Sequence, residues 1–97
     1  TFESVLRNTL DIGSVAVLKE ITHLPVIVDP SHAAGDTRYV NALARAAVAA
    51  GADGLLVETH CAPDDALSDS AQSLGTEEFA TLASECRPVA QAVGRDL

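Results

Sequence analysis

Histidine and carboxylate side chains follow two short apolar segments of this chain, and together they could bind a metal ion. The first segment leads to Asp29 and His32, and the second leads to Glu58 and His60, with Asp69 further along the chain. Imidazole and carboxylate ligands suit Mn²⁺, Fe²⁺, Co²⁺ or Zn²⁺ better than a thiolate-rich set would. Neither the interval from His32 to Glu58 nor that from Glu58 to Asp69 has the helical spacing, so the fold must bring these side chains together.

The same residues also have an ordinary explanation as polar side chains of loops, where such residues dominate. On that explanation His32 and His60 begin loops, while Asp64, Asp65 and Asp69 are turn or capping residues on a hydrated surface. Spacing alone does not decide between this explanation and a metal site, so both stay open at the level of single residues.

Other kinds of active site find less support. Asp29, Ser31 and His32 are the residue types of a hydrolytic triad, but neighbours along one chain cannot adopt its geometry, and no G-x-S-x-G motif is present. No glycine-rich phosphate-binding motif occurs among the six glycines. Cys61 has no basic neighbour in the sequence that would favour its thiolate, so we interpret it as a packed or incidental thiol.

The segments around these candidates predict strands and helices in alternation. Pro25–Asp29 and Gly54–Glu58 are short, continuous apolar runs, which are typical of strands buried on both faces. A helix between them is expected to be capped by Asp36, to run through Ala50 and to end at Gly51. This β-α-β unit predicts parallel strands whose carboxyl ends lie side by side, where α/β folds bind ligands.

Two further helices flank this unit. The apolar pattern from Ile12 to Ile21 predicts a helix that ends near Thr22, and a second helix is expected to be capped by Thr76. Pro88 should kink or split this second helix, and Gly94 should end it. Its predicted apolar stripe consists of Phe79, Leu82, Ala83, Cys86, Ala90 and Val93. The order is α-β-α-β-α, and since two parallel strands cannot close a barrel, we expect part of a larger α/β domain.

Composition and charge exclude several functions. The 97 residues carry a net charge of −8, and the segment from Ala46 to Cys86 has eight carboxylates and no Lys or Arg. A nucleic-acid surface is disfavoured, because it needs basic residues against phosphates. No apolar run approaches the ~20 residues of a membrane span, and the chain has no charged-then-apolar leader at its start, so we expect no secretion signal. Two cysteines are too few for a disulfide framework, which favours a cytoplasmic setting.

Four motifs in order resemble the C-terminal part of DAHP synthase (3-deoxy-D-arabino-heptulosonate 7-phosphate synthase) of the type I β branch. The resemblance extends from about Thr1 to Val93, nearly the whole chain. Because the motifs occur together with family-like spacing, they are more specific than any one of them. They are Arg7–Asp11 (RNTLD), His23–Ala33 (HLPVIVDPSHA), Gly51–His60 (GADGLLVETH) and Ala66–Leu74 (ALSDSAQSL).

This resemblance implies that residues 1–97 are the C-terminal portion of a (β/α)8 TIM barrel whose N-terminal strands lie upstream. It also implies a divalent metal, and condensation of phosphoenolpyruvate with erythrose 4-phosphate as the first step of the shikimate pathway. The implied metal ligands in this chain are His32, Glu58 and Asp69. Proton transfer by His32, or by a water held near Asp69, makes these two the candidate catalytic residues. The family's cysteine ligand belongs to an earlier strand, so Cys61 does not replace it.

The resemblance also assigns the remaining polar residues. His60 matches a motif without being a ligand, and Arg7 alone among the cations is considered near the site. Most phosphate contacts are expected from earlier strands, so the chain by itself should be inactive. Of the eight clustered carboxylates, Glu58 and Asp69 are assigned to the cation and the next two to a helix N-terminus, Glu77 and Glu78. The other four are assigned to solvent: Asp53, Asp64, Asp65 and Glu85.

Two alternatives to this function are retained. The related 3-deoxy-octulosonate 8-phosphate synthase has a similar barrel, metal and use of phosphoenolpyruvate, although the D-P-S-H and S-D-x-x-Q-S-L forms favour the heptulosonate enzyme. The second alternative is a noncatalytic half-barrel that associates through its exposed sheet edges. The complete enzyme is expected to be a cytoplasmic homo-oligomer.

Overall fold

Two short parallel strands and three helices make up the described part of the chain. The structure, a computed structural model, describes residues 11–31, 37–60 and 74–96. The elements are α1 (Ile12–Ile21), β1 (Ile27–Val28), α2 (Thr37–Ala50), β2 (Gly54–Leu55) and α3 (Thr76–Ala92). The predicted α-β-α-β-α order is confirmed. None of the described helices is both long enough and apolar enough to cross a membrane.

The two strands pair in parallel, as predicted, but they are shorter than their apolar runs. Ile27 lies opposite Gly54 and Val28 opposite Leu55. The prediction that both faces are buried is wrong for these residues, because Val28 is buried whereas Ile27 is 59% exposed. Successive side chains of a strand point to opposite faces, and the helices of this chain cover only one face of the sheet. Among the described residues, the opposite face leaves Ile27 exposed, as expected for part of a larger domain.

Helix α1 begins and ends where the sequence predicts. The Asp11 carboxylate accepts hydrogen bonds from the Ser14 backbone N–H at 3.1 Å and from the Ser14 hydroxyl at 2.7 Å, which caps the first turn. The helix ends at Ile21, and the Thr22 N–H donates to the Leu18 carbonyl. Val15 is the buried residue of this helix.

Helix α2 is the central helix of the fold, and both predicted details of its end are confirmed. It ends at Ala50, and Gly51 follows with a φ of 107°, in the region that favours glycine. One core cluster joins α2 to α3, and a second joins it to α1 and β1, with Ala47 as its α2 residue. The predicted cap at Asp36 lies outside the described residues.

Helix α3 differs from its prediction at Thr76, and it is not split at Pro88. The capping residue is Gly75, and Thr76 is the first helical residue. The Glu78 carboxylate accepts a hydrogen bond from the Gly75 N–H at 3.0 Å, so the acidic first turn binds a backbone donor without needing the Thr76 hydroxyl. Pro88 does not split the helix, which continues to Ala92.

The surface position of Pro88 explains why α3 continues through it. A proline removes the hydrogen bond to the carbonyl four residues earlier, here that of Ser84. Both residues are exposed, so water can bind that carbonyl. The last helical residue is Ala92. Gly94, two positions later, has a φ of 80°, which agrees with the predicted end of the helix.

The predicted apolar stripe of α3 is buried only in part. Leu82, Cys86 and Ala90 belong to the core cluster with α2. Phe79 and Val93 are more than two-fifths exposed, so the prediction that they are buried is wrong. Both lie toward the ends of the helix, beyond the part that α2 covers.

Candidate metal and substrate site

The carboxyl ends of the two parallel strands lie side by side, where the sequence predicts the site. Asp29 follows β1 and Glu58 follows β2, and both are half-buried. His60 is exposed. Outside the described residues lie the other candidates discussed above: Arg7, His32, Cys61, Asp64, Asp65 and Asp69.

Ser31 connects the two strand ends through a hydrogen bond. Its side chain is 0% exposed, and its hydroxyl oxygen accepts from the backbone N–H of Glu58 at 3.1 Å. From the sequence, we considered Ser31 only as a candidate nucleophile. A small hydroxyl residue three positions after a strand could have indicated the role observed, because buried backbone donors need partners.

A second contact fixes the Glu58 main chain from its other side. The Glu58 carbonyl accepts a hydrogen bond from the Leu74 N–H at 2.9 Å, and the His60 N–H donates to the Leu74 carbonyl at 2.8 Å. Thr59 and Leu74 thereby form a parallel bridge. Leu74 is itself buried in the core with α2 and α3, so the bridge is attached to the most densely packed part of the chain.

These contacts join Ser31 and Leu74 to the Glu58 main chain. Ser31 directly precedes His32, and the Leu74 bridge closes the segment that contains Asp69. One imidazole and two carboxylates fit a divalent transition metal, and the fixed main chain of the half-buried Glu58 fits a ligand position. Within residues 11–31, 37–60 and 74–96, no three His, Cys, Asp or Glu side chains are grouped to hold an ion. Two of the predicted ligands fall outside those ranges.

Comparison with known proteins identifies the family. Residues 1–94 match the family described as the DAHP synthetase I family. The chain belongs to this family. It is 49% identical over 94 residues to the phospho-2-dehydro-3-deoxyheptonate aldolase of Thermotoga maritima, a match that covers 97% of the chain and 28% of that protein. It is 36% identical to the 2-dehydro-3-deoxyphosphooctonate aldolase of Desulfosudis oleivorans, over 86% of the chain and 34% of that protein.

Solved structures agree with the family. The crystal structure of the Thermotoga maritima DAHP synthase matches with a TM-score of 0.93 and 48% identity, over 99% of this chain and 28% of that one. A truncated form of that synthase matches with a TM-score of 0.92, and 37% of it is covered. The chain thus has the predicted α/β fold with parallel strands and corresponds to part of a TIM barrel. It spans about a third of the length of these relatives.

In this DAHP synthetase I family chain, the opposite ends of the strands carry a second charged cluster, around Asp53. The assignment of Asp53 to solvent is wrong. Its carboxylate accepts from the Lys19 ammonium at 2.7 and 2.9 Å, from the Val26 N–H at 2.8 Å and from the Arg95 guanidinium at 2.6 Å. The Lys19 hydrogen bond is the first cause that holds the pKa of Asp53 well below its ordinary value, and the other two donors add to it.

The position of the Asp53 cluster indicates a structural role. Asp53 directly precedes β2, whereas Glu58 follows it, so the two carboxylates lie toward opposite ends of the strand. In TIM barrels the amino ends of the strands serve stability and the carboxyl ends carry the active site. The cluster joins α1, the start of β2 and the residues after α3, which are distant in sequence and could not be paired from it.

An apolar cleft runs between β2 and α3. It has a volume of about 390 Å³ and is lined mostly by apolar side chains, among them Leu55, Val57 and Leu82. Cys86 also lines it, and burial raises the pKa of the Cys86 thiol, which disfavours the reactive thiolate. The charged lining residues include Asp53 and Arg95, which are bound to each other, and we assign Cys86 to the core.

Proposed function

We propose that this chain is the C-terminal part of a barrel enzyme that condenses phosphoenolpyruvate with erythrose 4-phosphate to give 3-deoxy-D-arabino-heptulosonate 7-phosphate. The observation that carries the proposal is the junction of Ser31 with Glu58, which ties the D-P-S-H and V-E-T-H motifs together at the carboxyl ends of parallel strands. Active sites of TIM barrels lie at those ends. The name of the 49% identical relative supports the heptulosonate reaction.

In this proposal His32, Glu58 and Asp69 hold a divalent metal, Mn²⁺, Fe²⁺, Co²⁺ or Zn²⁺, with a further ligand from an earlier strand. When bound, such a cation supplies Lewis acidity that polarises the aldehyde of erythrose 4-phosphate. Glu58 contributes a carboxylate from a main chain that is hydrogen-bonded on both sides. His32 and Asp69 are the groups we propose for proton transfer beside the reacting carbons.

The positions of the described Lys and Arg residues support the proposal that residues elsewhere in the enzyme bind the substrate phosphates. Two phosphorylated substrates need Lys or Arg contacts. Lys19 and Arg95 are bound to Asp53 at the opposite ends of the strands, and the Arg38 guanidinium lies 5.2 Å from the centre of the Tyr39 ring. Arg45 and Arg87, the other described cations, lie exposed on α2 and α3. We therefore assign most of the phosphate contacts to earlier strands of the enzyme.

The alternative substrate is arabinose 5-phosphate, used in octulosonate synthesis. It has support because several 2-dehydro-3-deoxyphosphooctonate aldolases are 36–41% identical to this chain. The higher identity of the Thermotoga heptonate enzyme favours erythrose 4-phosphate. Cytoplasmic location, homo-oligomeric assembly and a noncatalytic half-barrel stay predictions of the sequence.

The test uses the full-length protein that contains this chain. Phosphate release from phosphoenolpyruvate should be faster with erythrose 4-phosphate than with arabinose 5-phosphate, should stop in EDTA and should return with added Mn²⁺. His32→Ala and Glu58→Ala should each lower the rate by about 100-fold or more, because loss of a ligand exceeds the usual 10- to 100-fold effect of its supporting residues. The matched control is Ser84→Ala, which removes an exposed hydroxyl bonded to the Thr81 carbonyl.

Each outcome bears on a separate part of the proposal. Full activity after removal of metal, or in His32→Ala, would refute the metal assignment. A preference for arabinose 5-phosphate would replace the heptulosonate reaction by the octulosonate one. No phosphate release with either sugar would favour the noncatalytic half-barrel.

A further inference from the structure

Ser31 makes the described contact that bears most directly on a predicted metal ligand. We propose that Ser31 is a positioning residue whose hydroxyl holds the Glu58 main chain where the Glu58 carboxylate can bind the cation. This inference rests on the proposed function, because it concerns a ligand of that metal. The sequence motifs give the Ser31 hydroxyl no role of its own, and the proposed reaction does not involve it.

Burial protects the Ser31 hydrogen bond from competition with water. Ser31 is 0% exposed and the preceding Pro30 is also fully buried. Solvent therefore does not compete for the hydroxyl oxygen, which accepts from the Glu58 N–H at 3.1 Å. The same burial separates this hydroxyl from substrates, so a nucleophilic role does not suit it.

The contacts of Glu58 explain why the loss of one hydroxyl would reach the carboxylate. The Ser31 oxygen binds the peptide group before the Glu58 Cα atom, and the Leu74 N–H binds the peptide group after it, at 2.9 Å. Together they fix the direction in which the side chain leaves the backbone. Without the hydroxyl, the hydrogen bond at the Glu58 N–H would be lost, and ligand atoms need placement within about 0.5 Å.

The place of Ser31 in the sequence gives the same hydrogen bond a second effect. His32 follows Ser31 directly, so the serine that holds the Glu58 main chain is covalently attached to another predicted ligand. One hydrogen bond thus sets the separation of the two ligand segments. Removal of the hydroxyl should loosen the metal site as a unit rather than weaken a single ligand.

The test is a titration of the full-length protein with Mn²⁺ alone, in which free Mn²⁺ is followed by electron paramagnetic resonance. Ser31→Ala should bind Mn²⁺ about 10- to 100-fold more weakly, the range for residues that orient metal ligands. Ser31→Thr keeps a hydroxyl oxygen and should recover most of the affinity, and Ser84→Ala should bind like the unsubstituted protein. At saturating Mn²⁺, the KM for phosphoenolpyruvate should be unchanged in Ser31→Ala.

The outcomes separate this inference from the proposed function. If the unsubstituted protein binds Mn²⁺ and Glu58→Ala weakens binding, while a folded Ser31→Ala binds normally, the positioning role alone is refuted. If the unsubstituted protein binds no Mn²⁺, the metal assignment and this inference both fail.

A second measurement needs no variant and applies even if Ser31→Ala does not fold. The Glu58 amide proton of the unsubstituted protein should be protected from hydrogen exchange, because its N–H is bound to a buried oxygen. Exchange at the rate of an exposed amide would overturn the inference.

Discussion

Replacement of Gly51 by alanine tests how the end of α2 places the start of β2. Gly51 has a φ of 107°. Its N–H donates to the Val48 carbonyl at 3.0 Å, and the Ala52 N–H donates to the Ala47 carbonyl at 3.0 Å, which satisfies the last carbonyls of the helix. An added Cβ would lie 3.5 Å from the Lys19 Cγ atom, an ordinary contact, so the expected cost comes from the backbone.

The backbone cost can be converted into a measurable shift. A left-handed conformation costs an L-residue about 1–2 kcal/mol, and the reduced freedom of the unfolded chain returns about 0.5 kcal/mol. The free energy of unfolding should therefore fall by about 1 kcal/mol in Gly51→Ala. In a barrel of about 250 residues this corresponds to a Tm lower by about 2–4 °C.

The assay is thermal and urea unfolding of the full-length protein, followed by circular dichroism, at one protein concentration. Gly51→Asn is the matched variant, since asparagine tolerates the left-handed region better, and it should recover part of the loss. Gly94→Ala is the second comparison, because Gly94 has a φ of 80° and open space around it; its backbone cost should be similar. Equal stability of Gly51→Ala and the unsubstituted protein would refute the reasoning, as would an asparagine variant no better than alanine.

Two further substitutions test charges and helix continuity. Because the pKa of Asp53 is lowered by Lys19, its contribution to stability is present above the ordinary pKa of an aspartate, about 4, and is lost as the pH falls through the lower folded-state value. Asp53→Asn should thus be less stable than the unsubstituted protein at pH 7, and the difference should shrink in acid; a difference independent of pH would contradict the role of charge. Pro88→Ala should raise the free energy of unfolding by about 2 kcal/mol, measured by urea unfolding, and no gain would mean that the helix adapts to Pro88 without cost.

Local signals in the sequence account for most of what could be predicted of the fold. The spacing of apolar residues and the glycines at 51 and 94 predict the helices, because both act within a few residues of the chain. The order of elements and the parallel pairing follow from them. The length of the strands could not be predicted, since it depends on neighbours that the apolar pattern of Pro25–Asp29 does not specify.

The wrong assignment of Asp53 and the missed role of Ser31 share a physical cause, which is contact between residues distant in sequence. In the sequence Asp53 lies in an acidic segment, and only the fold places Lys19 and Arg95 beside it. Ser31 similarly gains its role only when the Glu58 N–H lies within reach. At Pro88 a local rule predicts that the helix breaks, but the helix continues. The carbonyl that loses its hydrogen bond belongs to Ser84, which is exposed to water.

The candidate site could be predicted as a set of residues but not as a geometry. The motifs indicate His32, Glu58 and Asp69, and the structure describes only Glu58 among them. What the structure adds is the support of that residue by Ser31 and Leu74, which no motif indicates. The metal assignments of His32, Glu58 and Asp69 all stay predictions.

The bridge at Leu74 bears on how enzymes of this family could diverge. Its hydrogen bonds to Glu58 and His60 are made by main-chain atoms, so they depend on the path of the chain and not on which side chains lie between positions 60 and 74. The entropy of closing a loop rises only slowly with its length. Changes of length or sequence in that interval that keep Asp69 in place could therefore be tolerated without displacing the Glu58 main chain.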